Sequence, residues 1–135
     1  MNSKTTLLVL GATLIFVAPP AEGHHAFAAE FDIDRPVTLQ GTVTRMEWIN
    51  PHAWLHVDVL ESDGSVVPWE IELGPPNSLI KRGWTRESVP TGIQVQVEGH
   101  QAIDGQPRAN GGNVVLPDGT KLFGGGSAPG QPPED

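Results

Sequence analysis

The side chains best able to do chemistry in this chain are its five histidines, His24, His25, His52, His56 and His100. The chain has no cysteine and no tyrosine, which excludes disulfides, thiol catalysis, thiolate metal sites and phenol acids. Any metal must therefore be held by nitrogen and oxygen ligands, imidazole first among the side chains. Two of the histidines fall in Trp48-Ile49-Asn50-Pro51-His52-Ala53-Trp54-Leu55-His56-Val57-Asp58. There Ala53, Leu55, Val57 and Val59 alternate with His52, Trp54, His56 and Asp58 at the period-two spacing of a half-buried strand. The first set faces a core. The second puts two imidazoles, an indole and a carboxylate on the outward side, an uncommon use of a large aromatic.

Spacing limits what this face can bind. His52 and His56 lie four strand positions apart, about 13 Å at roughly 3.3 Å per residue, too far to share an ion. The hydrophobic pattern decides which carboxylate meets His56. A two-residue loop at Asp63-Gly64 would place Val57 opposite Glu70 and turn one apolar face to water. A three-residue loop with Gly64 left-handed instead sets Val57 opposite Trp69, Leu55 opposite Ile71, His56 opposite Glu70 and Trp54 opposite Glu72. His56 can then share a hydrogen bond or an ion with Glu70, or with Asp58. The competing reading is a surface ion pair.

His24 and His25 carry a second chemistry. Residues 1–23 read as an export signal: Lys4 is the positive start, Leu7 to Ala18 is an apolar run of about a dozen residues, and Pro19 to Gly23 is a breaking region with small residues. That run is short of the roughly 20 residues a membrane helix needs, so no retained span is expected. Cleavage after Gly23 frees the amine of His24 beside two imidazoles. Cleavage after Ala21 leaves Glu-Gly-His-His, whose amine, amides and ring nitrogen make the square-planar set copper(II) prefers. Copper, or else zinc, is the expected ligand, with His24 and His25 first and His52, His56 and Glu70 as helpers. The competing reading is a solvated chain start.

The elements that must position these groups are short strands. With 16 Gly and 13 Pro the chain is rich in turns. Residues 24–36 form an N-terminal arm. Val37 to Trp48 is a strand with a bend at Gly41, and a bulge near Arg45 would return Met46 and Trp48 to the inner face. The hairpin of about Ala53 to Glu61 and Ser65 to Leu73 follows, then a short helix between Gly74 and Trp84 whose Leu79, Ile80 and Trp84 plug one end. Ile93, Val95 and Val97 face inward on the next strand, and Asn113 to Leu116 and Thr120 to Phe123 form a last pair. A helix between strands three and four predicts an all-β, OB-like five-stranded Greek-key barrel over residues 37–123, followed by a disordered tail over 124–135.

The formal charge of −8 repels nucleic acid. No nucleophile elbow, phosphate loop or His-Glu-x-x-His pattern is present, so the expected role is not catalytic, although Asp58, Glu70 and Glu72 are candidate acid and base groups.

Taken together, His24-His25-Ala26-Phe27, Gly41-Thr42-Val43, Asn50-Pro51-His52, Trp69-Glu70, Leu79 to Trp84 and Gly92-x-x-Val95-x-Val97-x-Gly99 resemble a family of small exported bacterial proteins, domain of unknown function 6152. The resemblance runs from about His24 to Phe123 and implies export and domain extent, but no catalytic roles. The expected function is a periplasmic binding module for copper. The alternative is an interaction module for a protein or carbohydrate partner, using Trp48, Trp54, His52, His56, Asp58 and Glu72.

Overall fold

The structure is a computed structural model that describes residues 22–130, with side chains from residue 26 onward. The predicted leader over residues 1–23 lies almost wholly outside the described residues, as do the side chains of His24 and His25. The elements in order are α1 (Glu22–Glu30), β1 (Phe31–Glu47), β2 (Trp54–Leu60), β3 (Val66–Glu72), α2 (Pro76–Lys81), β4 (Gln94–Ala102), β5 (Arg108–Val115) and β6 (Lys121–Phe123). The fold is mostly β. Its six strands form one sheet in the order β3-β2-β1-β4-β5-β6, matching the six strand segments read from the sequence and one more than a five-stranded barrel counts, and β3 also pairs with β5 in parallel at Glu70 to Glu72.

The core follows from alternation. Leu55 and Val57 on β2, with Ala53 just before it, are fully buried and meet Trp69, Ile71, Leu73, Val97 and Val114 in one cluster. Each buried Leu, Ile or Val there contributes about 1.5–3 kcal/mol. The hairpin register is the expected one, with Val57 opposite Trp69, His56 opposite Glu70 and Trp54 opposite Glu72, and Gly64 has φ 86°. A register shift between Val43 and Arg45 is the expected bulge. Met46 and Trp48 pack against the core as half-buried side chains.

Four sequence expectations need correction. β1 begins at Phe31, not Val37, because Phe31 is buried with Phe27, Ala102 and Ala128 in a second cluster that ties the N-terminal arm down. β5 begins at Arg108, not Asn113. Its Asn110-Gly111-Gly112 reads as a loop, but the small residues are there for close approach: a Cβ on Gly111 would lie 2.7 Å from Ile71 Cγ2 and 2.8 Å from Leu73 Cδ2. Ile80 is 52% exposed, since α2 is a single short turn that buries Leu79 and leaves its neighbour outside. Finally, Gly124 to Gly126 and Ala128, expected within a disordered tail, are buried. The Gly124 N–H donates to Gly112 O, and Gly74 N–H donates to Gly124 O.

At Gly99 a Cβ would collide with the backbone carbonyl of Asn110, which cannot move without breaking the β4–β5 ladder. Gly99→Ala is expected to lower the unfolding free energy by about 1–3 kcal/mol in urea denaturation. A neutral result would show that the two strands can separate there.

Candidate binding groove on the outer face of β2 and β3

Alternation places Trp54 and His56 of β2 and Glu70 of β3 on the side of the sheet away from the core. The bulge adds two side chains that the sequence reading did not assign to this face. Past the slip, Arg45 pairs with His56 and Glu47 with Trp54 across the strands. The same bulge that was expected to turn Met46 and Trp48 inward also turns Arg45 and Glu47 outward. That was the available signal. Arg108, in a stretch read as loop, pairs with Glu70 through the parallel β3–β5 contact, and no local pattern could have shown this.

These groups line a polar cavity of about 380 Å³ formed by Glu30, Arg45, Glu47, Trp54, His56, Glu70 and Arg108. A neighbouring cavity of about 290 Å³ shares His56, Glu70 and Arg108 and is also lined by Pro68 and Pro107. Together they make a groove along the outer face. Its polar groups are mutually paired. His56 Nε2 lies 2.9 Å from Glu47 Oε2, Arg45 Nη2 is 3.4 Å from Glu47 Oε1, and Arg108 Nε is 3.8 Å from Glu70 Oε2. The hydrogen bond from His56, aided by Arg45, holds the Glu47 carboxyl below its ordinary value.

His56 and Glu70 are neighbours in register, yet the imidazole turns to Glu47, and Glu70 turns to Arg108. Arg45 Nη2 also stands 3.2 Å from His56 Nε2, so a cation at that nitrogen would have to displace a guanidinium. Among the described residues, no three His, Asp or Glu side chains converge to hold a metal. His52 and Asp58 leave the groove in opposite directions. Asp58 lines a separate cavity of about 510 Å³ with Gln40, Thr42, Gln94 and Gln96. Trp48 does not join the outer face either; its ring packs edge-on against Trp84 at 6.4 Å, with Arg86 over it at 5.6 Å.

His52 Nδ1 lies 3.6 Å from Glu72 Oε1, which also accepts from Asn110 Nδ2 at 3.3 Å. Glu72 was expected on an exposed face but is only 7% exposed. Burial pushes its carboxyl above the ordinary value; His52, Asn110 and Arg108 oppose the rise, and Glu30 adds to it.

The fold and the groove define a small, mostly β protein with a ligand-sized, charge-paired cleft on one outer sheet face. The chain belongs to the family of unknown function DUF6152, whose model matches residues 12–111, from within the apolar run Leu7 to Ala18 to the middle of β5. No curated protein and no solved structure matches the chain.

A carboxyl whose value is raised on folding favours the folded state below its unfolded value, and that advantage is lost as pH rises through the folded one. Glu72→Gln keeps an acceptor for Asn110 and removes the buried charge. It is expected to raise stability by about 1 kcal/mol or more at pH 7, about 4–8 °C in Tm, with the difference vanishing near pH 4. Thermal melts of both proteins across that range check it; a destabilised variant at pH 7 would mean that ionised Glu72 is held favourably by His52 and Arg108.

Proposed function

We propose that this protein is an exported, periplasmic, non-catalytic binding module whose ligand sits in the groove over β2 and β3. The fold we assign to it is the OB-like Greek-key barrel. The helix between β3 and β4 and the parallel β3–β5 pairing, which links the two sides of the strand order, support that assignment. The single observation that carries the functional reading is the half-exposed indole of Trp54 set in a cleft walled by Arg45, Glu47, His56, Glu70 and Arg108. Concave sites with an aromatic surface and a few convergent polar groups are where small ligands bind. Export rests on the leader pattern alone, and the first residue of the protein recovered from periplasm, read by mass spectrometry, tests it.

A ligand that binds only the folded state raises Tm by mass action. Fractionated periplasmic extract is expected to stabilise the wild-type protein but neither Trp54→Ala nor Arg108→Gln. Equal shifts in all three would remove the groove from the reading.

A second reading is copper at the processed amino terminus, through His24 and His25. Its support is that Phe27, two residues on, packs edge-on against His100 at 5.7 Å, which anchors the helix bearing both residues beside a third imidazole. Calorimetric titration of the processed protein with copper(II) is expected to give affinity tighter than about 10 μM that is lost on deleting His24-His25. Weaker binding, or binding unchanged by the deletion, sets copper aside.

A further inference from the structure

We infer that the groove takes a neutral, hydroxyl-rich ligand, an oligosaccharide, and this inference rests on the reading of the groove as the binding face. The argument begins with charge. The groove holds two guanidiniums, Arg45 and Arg108, against three carboxylates, Glu30, Glu47 and Glu70. Both guanidiniums stand in ion pairs with carboxylates of the groove itself, at 3.4 Å and 3.8 Å. A phosphate or carboxylate ligand would meet a groove with one more carboxylate than guanidinium, and at either Arg it would sit beside the carboxylate already paired there. A cationic ligand at Glu47 or Glu70 would sit beside the guanidinium already paired there, and at His56 it would meet Arg45 as well.

A hydroxyl avoids both conflicts. It donates and accepts at once, so it can bridge a carboxylate oxygen and a guanidinium N–H without either ion losing its partner. The capacity is there: a carboxylate offers about four acceptor sites and a guanidinium five N–H donors, and each pair here uses only part of that number. Glu47 and Glu70 keep about a third and a half of their side-chain surface open, and Arg45 and Arg108 keep 61% and 39%. Vicinal hydroxyls on a sugar ring match two donors and two acceptors presented side by side.

The apolar part of the site fits the same ligand. The C–H face of a pyranose ring is the complement of an indole face, and Trp54, which is only partly buried, brings its indole to the wall of the larger cavity. Beyond the shared His56, Glu70 and Arg108, the smaller cavity is walled by Thr44, Pro68, Gln106 and Pro107, uncharged groups that would carry a second ring onward. An extended peptide would also need backbone partners from a free strand edge. At Glu70 to Glu72 the outer edge of β3 is already occupied by β5.

The test uses the full processed protein, labelled with nitrogen-15, and follows amide and indole resonances. The probes are cellopentaose, maltopentaose and chitotetraose as neutral ligands, an oligogalacturonate as the anionic counterpart, and an unstructured decapeptide. At least one neutral sugar is expected to shift the Trp54 indole N–H and the amides of His56, Glu70 and Arg108. Its affinity should be unchanged when salt rises about tenfold, because no net charge is neutralised. Trp54→Ala and Glu70→Gln should each weaken it about 10-fold or more, a loss of about 1.4 kcal/mol, while Trp54→Phe keeps most of it and controls for folding. If oligogalacturonate or the peptide shifts the same resonances more strongly than every neutral sugar, the ligand class is wrong and the groove stands. If shifts appear only elsewhere, or no probe shifts any resonance, the groove reading falls with it.

Discussion

The whole arrangement depends on the register of β2 against β3. A three-residue loop ending at left-handed Gly64 sets Val57 against Trp69, and from there every residue of both strands has its side of the sheet assigned. One residue of slip would turn one strand over, carrying Leu55 and Val57 of β2, or Ile71 of β3, into water and driving Trp54 and His56, or Glu70, into the core. Fully buried side chains contributing about 1.5–3 kcal/mol each oppose either slip. The polar groove is thus positioned by apolar contacts on the opposite face of the same strands.

β1 is fitted to this hairpin by two local devices. At Gly41 the strand passes so close to β2 that a Cβ would lie 2.8 Å from Asp58 O, and between Val43 and Arg45 the ladder slips by one residue. The slip has opposite consequences on the two faces. It packs Met46 and Trp48 against the core and delivers Arg45 and Glu47 to His56. A regular strand would have achieved neither, because Arg45 through Trp48 break the alternation that precedes them.

The legible parts of the molecule were those decided by local pattern. Alternation in β2, the turn chemistry of Asp63-Gly64 and the broken alternation over Arg45 to Trp48 were enough to place the hairpin, its register and the bulge. What was not legible depended on residues distant in sequence. Glu72 alternates outward on β3 like Glu70, and nothing near it predicts burial; it is covered because Asn110 from β5 and His52 from the β1–β2 loop converge on it. Arg108 reached the groove through a parallel pairing across 38 positions of chain, from Glu70 to Arg108. Asn110-Gly111-Gly112 looked like a turn because glycine signals both turns and close approach, and only the neighbours Ile71 and Leu73 distinguish the two.

The segment after Phe123 was expected to be disordered, yet it packs with α1 beside this face of the sheet. Phe27 and Phe31, with rings 5.8 Å apart, join Ala102 and Ala128 in a small cluster outside the main core. This cluster holds α1 against β4 and places Glu30, its last residue, at the lip of the groove. The tail runs alongside: a Cβ on Gly126 would collide with Asn110 Oδ1, so the backbone there lies directly on the side chain that donates to Glu72. Glu72 is therefore covered by groups from β5 and the β1–β2 loop, and the charges near it oppose one another: Glu30 repels the ionised form while His52 and Arg108 attract it. The same helix that carries His24 and His25 thus also supplies part of the groove lining through Glu30.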